Sequence, residues 1–173
     1  IVMEWVDGVD LSRMLLSARD EARPVAVADA AFIAHSVLEA LSAAHRRASG
    51  PVFHRDVTPA NILVSRTGEV KLTDFGLARA MDRMTVTLPG VVVGKLAYVA
   101  PELIAAERAT AASDIYSLGI VLWEMLAGRR LFQAHNELEL FMMAGRAVIP
   151  NLDELRDDVP SELAEVVRQM TRK

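Results

Sequence analysis

His54-Arg55-Asp56-Val57-Thr58-Pro59-Ala60-Asn61 sets an asparagine five residues after an aspartate, and Asp74-Phe75-Gly76 follows thirteen residues after that asparagine. Neither group means much alone, because such triplets are common in ordinary turns and surface clusters. Order and company give them weight. Between them, Ile62-Leu63-Val64 and Val70-Lys71-Leu72 flank Arg66-Thr67-Gly68, which predicts a short hairpin. The stretch from Asp74 to Gly94 has little periodicity and contains Pro89-Gly90, so it reads as a long loop of the functional kind. Ala100-Pro101-Glu102 comes next, and Asp114-Ile115-Tyr116-Ser117-Leu118-Gly119 opens a strongly apolar segment.

Outward from this centre the pattern is mainly helical. Ile1 to Val6 is a β-favouring run ending at Asp7-Gly8, and a short helix is expected from Asp10 to Ser17. Ile33, Val37, Leu38 and Leu41 mark one face of a helix from about Ala28 to Ala48, stopped by Ser49-Gly50-Pro51. Ser113-Asp114 supplies an N-cap and an early acid for a helix that ends at Gly128 and is apolar all round, hence central. Glu137 to Gly145 and Ser161 to Met170 read as two further amphipathic helices. The expected class is mainly α with short β hairpins.

Composition narrows the function. With 173 residues and 52% hydrophobic content, one domain with its own core is expected. A net charge of -4 with both signs interspersed argues against nucleic acid as a partner. The absence of cysteine removes disulfides and thiolate zinc sites, and a cytoplasmic location is the default. The richest apolar run, Ile115 to Leu126, is shorter than the roughly 20 residues that span a bilayer, so no membrane contact is expected from this segment. The chain opens inside an apolar run without an initiator Met, as if numbered from mid-protein, so an anchor elsewhere stays open. His35 and His45 read as packing or capping residues rather than metal ligands. Gly90 to Lys95 is not a P-loop, having one residue too few between its glycines.

The four motifs, in this order and spacing, resemble those of eukaryotic-type (Hanks-type) Ser/Thr protein kinases, in a form similar to bacterial ones, over essentially all 173 residues. The resemblance implies a C-terminal lobe whose N-terminal β-rich lobe is absent. Residues 1–8 would form the last strand of that lobe and the hinge, 52–61 the catalytic loop, 74–102 the activation segment and 113–128 the central helix. It implies transfer of the ATP γ-phosphate to a protein Ser/Thr hydroxyl, an act of positioning and charge neutralisation. Asp56 would accept or orient the hydroxyl proton, while Asn61 and Asp74 would hold Mg²⁺ through the hard oxygens it prefers. Around ATP, Glu4 and Val6 would meet the adenine edge by their backbones, Met3 would guard the pocket, Asp10 would bond the ribose and Leu63 would form the floor. Arg55 and Arg79 would receive a phosphate on Thr85 or Thr87. Pro59 favours Ser/Thr over Tyr specificity.

Two departures stand out. Most Ser/Thr kinases carry Lys where this chain has Thr58, and Thr where it has Lys95. The two residue types are exchanged, so Lys95 is expected to supply the ammonium and Thr58 the hydroxyl. Within the chain the resemblance also finds no glycine-rich loop, no strand lysine for the α and β phosphates and no helix glutamate to pair with that lysine, so the fragment is expected to be inactive without the missing lobe. A pseudokinase scaffold is the alternative, kept open by Thr58. A small-molecule phosphotransferase is a further one, disfavoured by Ala100-Pro101-Glu102 and the Asp114 helix.

Overall fold

The computed structural model describes residues 4–21, 23–75 and 93–172. The fold is organised around helix α5, Ala111–Ala127, in which every residue from Ser113 to Leu126 except Ile115 is buried. Its start differs from expectation. Thr110, in extended conformation, is the N-cap, and Ser113 stands three residues inside with its Oγ accepting from Thr110 N at 3.1 Å. Asp114 does not cap the helix, because its carboxylate is turned inward to the 54–55 backbone. Gly128 ends α5 in the left-handed conformation (φ +67°), which a side chain would strain.

Two helices precede it. Helix α1, Leu11–Asp20, is capped by Asp10 and buries Leu11 and Leu15, four apart on one face. It runs three residues beyond the expected end at Ser17. Helix α2, Val27–His45, buries Ile33, Val37 and Leu41 and packs against α5. It ends three residues before the expected Ala48, where Arg46 leaves helical geometry. Helix α2 is also long and apolar enough to cross a membrane by length and composition alone.

One small antiparallel sheet completes this side: β1 (Gly8–Asp10), β2 (Ile62–Ser65) and β3 (Val70–Leu72), in that order. The hairpin of β2 and β3 pairs Ile62 with Leu72. The first strand lies later than the apolar run suggested, since residues 4–6 are not in a strand. Gly8 explains the shift: a Cβ there would sit 2.1 Å from Val64 O, so only glycine lets the two backbones pair.

The remaining helices are α3 (Val93–Leu96), α4 (Pro101–Ile104), α6 (Glu137–Arg146) and α7 (Ser161–Met170). Of the long loop expected over 74–94, residues 76–92 fall outside the described residues, and 93–94 belong to α3. Asn136 caps α6 by accepting from Glu139 N at 2.9 Å. Helix α7 packs tightly on α5, where a Cβ on Gly119 would be 2.7 Å from Thr171 Cγ2. Glu102 of α4 accepts a hydrogen bond from Ser113 Oγ at 2.6 Å, which ties α4 to the start of α5.

Candidate active site

The turn from His54 to Asn61 is held from below by a buried carboxylate. Asp114 Oδ2 accepts from His54 N at 2.8 Å and Oδ1 from Arg55 N at 2.7 Å, while His45 Nε2 lies 2.8 Å from Oδ2. Arg55 sits at φ +66°, a region costly for a residue with a Cβ, by about 1–3 kcal/mol. The two bonds to Asp114 hold it there. His54 is fully buried, with Nε2 2.7 Å from the Thr73 carbonyl and Nδ1 3.3 Å from Asp56 N. A carbonyl only accepts and a backbone N–H only donates, so the ring is the Nε2–H tautomer. Its edge packs on Phe75, with centroids 4.6 Å apart, joining the two motifs.

This frame presents Asp56. Its Oδ2 accepts from Asn61 Nδ2 at 3.0 Å and forms an ion pair with Lys95 Nζ. Asn61 Nδ2 also donates to the Asp56 carbonyl at 2.7 Å. Both N–H groups of the amide are thus used, and Asn61 Oδ1 is the atom left for a ligand. Among the described residues both bonds to the Asp56 side chain fall on Oδ2, which leaves Oδ1 open.

The hairpin brings Asn61 and Asp74 to the same end, because Thr73 N donates to the Asn61 carbonyl at 2.9 Å. Asp74 adopts φ +63°, tolerated by Asp better than by most residues. An amide oxygen and a carboxylate at one hairpin end suit a hard divalent cation. Among the described residues no cluster of three His, Cys, Asp or Glu offers a rival metal site.

The expected ATP-facing residues are less uniformly placed. Leu63 is in the middle strand, paired with Asp10 on one side and Lys71 on the other. Glu4 pairs with Lys71 Nζ at 2.5 Å, and that hydrogen bond raises the Lys71 pKa. Val6 is half-buried and irregular. The Asp10 carboxylate bonds Ser12 Oγ and, at 3.1 Å, Arg13 N, so its first role is to cap α1. Burial pushes its pKa up, but these bonds and the Arg13 charge outweigh burial and hold it below the usual value. Met3, Arg79, Thr85 and Thr87 lie outside the described residues.

Thr58 and Lys95 line one side of an open cleft of about 230 Å³. Thr58 is 5% exposed and its Oγ1 has no hydrogen-bond partner among the described residues. The sequence reading missed the rest of this cleft: Arg19, Tyr98 and Arg130, over a buried Glu124. Only Glu124, a carboxylate inside an apolar run, signalled something there. It accepts from Tyr98 Oη at 2.9 Å, Leu131 N at 3.0 Å and Arg19 Nη2 at 3.2 Å. Burial, then the Glu124 charge, push the Tyr98 phenol far above its ordinary pKa.

Residues 1–173 match the protein kinase domain along their whole length. The chain belongs to the protein kinase family. Relatives include a probable serine/threonine-protein kinase PknB of Lactococcus lactis, 36% identical over the whole chain, and serine/threonine-protein kinase PknL of Mycobacterium tuberculosis, 38% identical over the whole chain. Serine/threonine-protein kinase PrkC of Bacillus subtilis is 33% identical over the same span. This kinase chain covers 26%, 42% and 26% of those three proteins respectively. The family generally uses ATP and Mg²⁺ and acts on protein substrates.

Proposed function

We propose that the chain is the C-terminal lobe and hinge of a Ser/Thr protein kinase, with residues 52–61 as the catalytic loop and 74–102 as the activation segment. The observation that carries this is Asp56, whose one carboxylate oxygen gathers the Asn61 amide and the Lys95 ammonium while the other stays open among the described residues. Asp56 orients a substrate Ser or Thr hydroxyl and takes up its proton. The hydroxyl oxygen then bonds to the γ-phosphorus as the bond to the ADP oxygen breaks. Asn61 Oδ1 and Asp74 hold Mg²⁺, which neutralises phosphate charge when bound. Glu4, Val6, Asp10 and Leu63 face the nucleotide, Asp10 adding a ribose contact to its capping role.

Lys95 supplies beside Asp56 the ammonium that other Ser/Thr kinases supply from the position of Thr58. The Thr58 hydroxyl, buried at the edge of the same cleft and without a partner among the described residues, takes its partner when the substrate binds. Arg55 and Arg79 receive phosphorylated Thr85 or Thr87; unmodified threonines in the active full-length protein, by mass spectrometry, would remove this element. No glycine-rich loop lies within residues 1–173, and Lys71, in β3, is paired with Glu4, so these residues transfer phosphate only together with the N-terminal lobe in cis.

The test is phosphotransfer from labelled ATP by the full-length protein. Asp56→Asn should cut turnover by about 100-fold to 10,000-fold while leaving the unfolding midpoint close to wild type. A pseudokinase, the reading that Thr58 keeps open, would bind ATP but label neither itself nor any peptide.

A further inference from the structure

The cleft beside Asp56 has an unusual charge pattern. Arg19, Lys95 and Arg130 line it, together with Ser12, Thr58 and Tyr98, and none of its lining residues is acidic. Two of the cations already have a carboxylate: Lys95 is paired with Asp56 and Arg19 with Glu124. Arg130 does not. Its Nη1 donates to Tyr98 Oη at 3.2 Å, and among the described residues no carboxylate lies within ion-pair distance of it. Tyr98 donates its own proton to Glu124, so this contact leaves the Arg130 charge uncompensated. Arg19 Nε, also buried, has no partner among the described residues, and neither has the Thr58 hydroxyl.

The donors without acceptors therefore outnumber the acceptors in one cleft that begins at the proposed phosphoacceptor position. Glu124 offers no counterweight, because Arg19, Tyr98 and Leu131 N already bond its carboxylate. A basic side chain entering here would meet the uncompensated charge of Arg130. An anionic one would find a guanidinium fork of the geometry that carboxylates and phosphates fit.

We propose that this cleft is a specificity subsite for an anionic side chain, a carboxylate or a phosphorylated residue, on the substrate polypeptide near the phosphoacceptor, with Arg130 as its principal contact. The proposal rests on the protein kinase reading of Asp56 for the identity of the neighbouring residue, but not for the charge of the cleft. Lys95 touches both Asp56 and the cleft, so the anionic residue lies within about four positions of the acceptor, the ~13 Å that an extended chain of that length covers.

The experiment uses the full-length protein and serine peptides in which each position in that range carries Gln, Glu, phosphoserine or Lys. Phosphorylation is measured as kcat/KM, and binding separately by fluorescence anisotropy. At one or two positions Glu should raise kcat/KM about fivefold to tenfold over Gln, phosphoserine should raise it further, and Lys should lower it. In Arg130→Gln the Glu-to-Gln ratio should fall to about one, and Arg130→Glu should favour Lys instead. Because the readout is a ratio within one variant, it survives loss of overall activity. Equal rates for Gln, Glu and phosphoserine peptides overturn the proposal, as does an anion preference that persists in both Arg130 variants. Absence of all phosphotransfer with an Arg130-dependent preference for acidic peptides in binding supports the subsite and contradicts the kinase reading alone. Absence of both preferences contradicts the subsite. Preference for phosphoserine without preference for Glu identifies the anion as a phosphate and keeps the subsite.

Discussion

Asp114 and Glu124 are buried carboxylates ten residues apart on α5, about 15 Å along its axis, and they are used in different ways. Asp114 takes two main-chain N–H groups, those of His54 and Arg55. Glu124 takes the side chains of Arg19 and Tyr98 together with Leu131 N. The first anchor holds the path of the backbone beneath Asp56, including a strained residue, whatever the side chains there are. The second holds side chains that line a cleft, and side chains can be exchanged without moving the chain. Chemistry common to a family suits the first kind of support, and substrate choice suits the second.

This contrast breaks if the two ends of α5 respond alike. Asp114→Ala leaves two buried main-chain donors without acceptors and should cost about 2–6 kcal/mol of stability. Turnover should fall at least about 100-fold as Asp56 loses its position. Urea unfolding and steady-state kinetics on the full-length protein check both. Glu124→Gln keeps an acceptor for only one of Tyr98 and Leu131, whose donors reach different oxygens, and strips Arg19 of its counter-charge, so it should cost at least about 3 kcal/mol. Its kinetic signature is a raised KM for peptide with kcat within about twofold. A large kcat loss in Glu124→Gln, or a pure KM effect in Asp114→Ala, would dissolve the distinction.

A smaller effect sharpens the Glu124 end. Tyr98→Phe removes one donor to a buried carboxylate and should cost about 1 kcal/mol near neutral pH. Tyr98 and Tyr116 keep their protons in the folded protein, the Tyr116 phenol being pushed up to about 12 by burial and then by the Glu102 charge. Unfolded, both titrate from their ordinary value of 10.0. The stability linked to these protons is fully present below pH 10 and is lost as the pH rises through the folded values. Denaturation midpoints measured on either side of pH 10 should therefore fall less steeply in Tyr98→Phe than in wild type.

The contrast also explains what was legible in the sequence. Asp56, Asn61 and Asp74 could be found because local spacing places them: a tight turn and one hairpin. The starts of α6 and α7 at Glu137 and Ser161 were legible for the same reason, the second following Pro160 directly. Asp114 was legible as an acid in the first turn of α5, but its hold on the 54–55 backbone was not, because those tertiary partners lie about sixty residues away. Gly8 was read as turn rather than strand, because the close approach of Val64 leaves no mark near it in the chain. The Arg19, Tyr98, Glu124 and Arg130 cluster was missed altogether. Its members are scattered over more than a hundred residues, and no periodicity connects them.

The exchange of Lys95 and Thr58 is the most distinctive element of the centre, and one measurement tests it. Turnover at saturating ATP is compared for full-length wild type, Lys95→Ala and the double variant Lys95→Ala/Thr58→Lys. Loss of a charge-assisted bond made in the transition state should slow Lys95→Ala by roughly tenfold to a hundredfold, with part of the rate restored when Thr58→Lys returns the ammonium from the other side. Turnover of Lys95→Ala within about twofold of wild type would contradict the account.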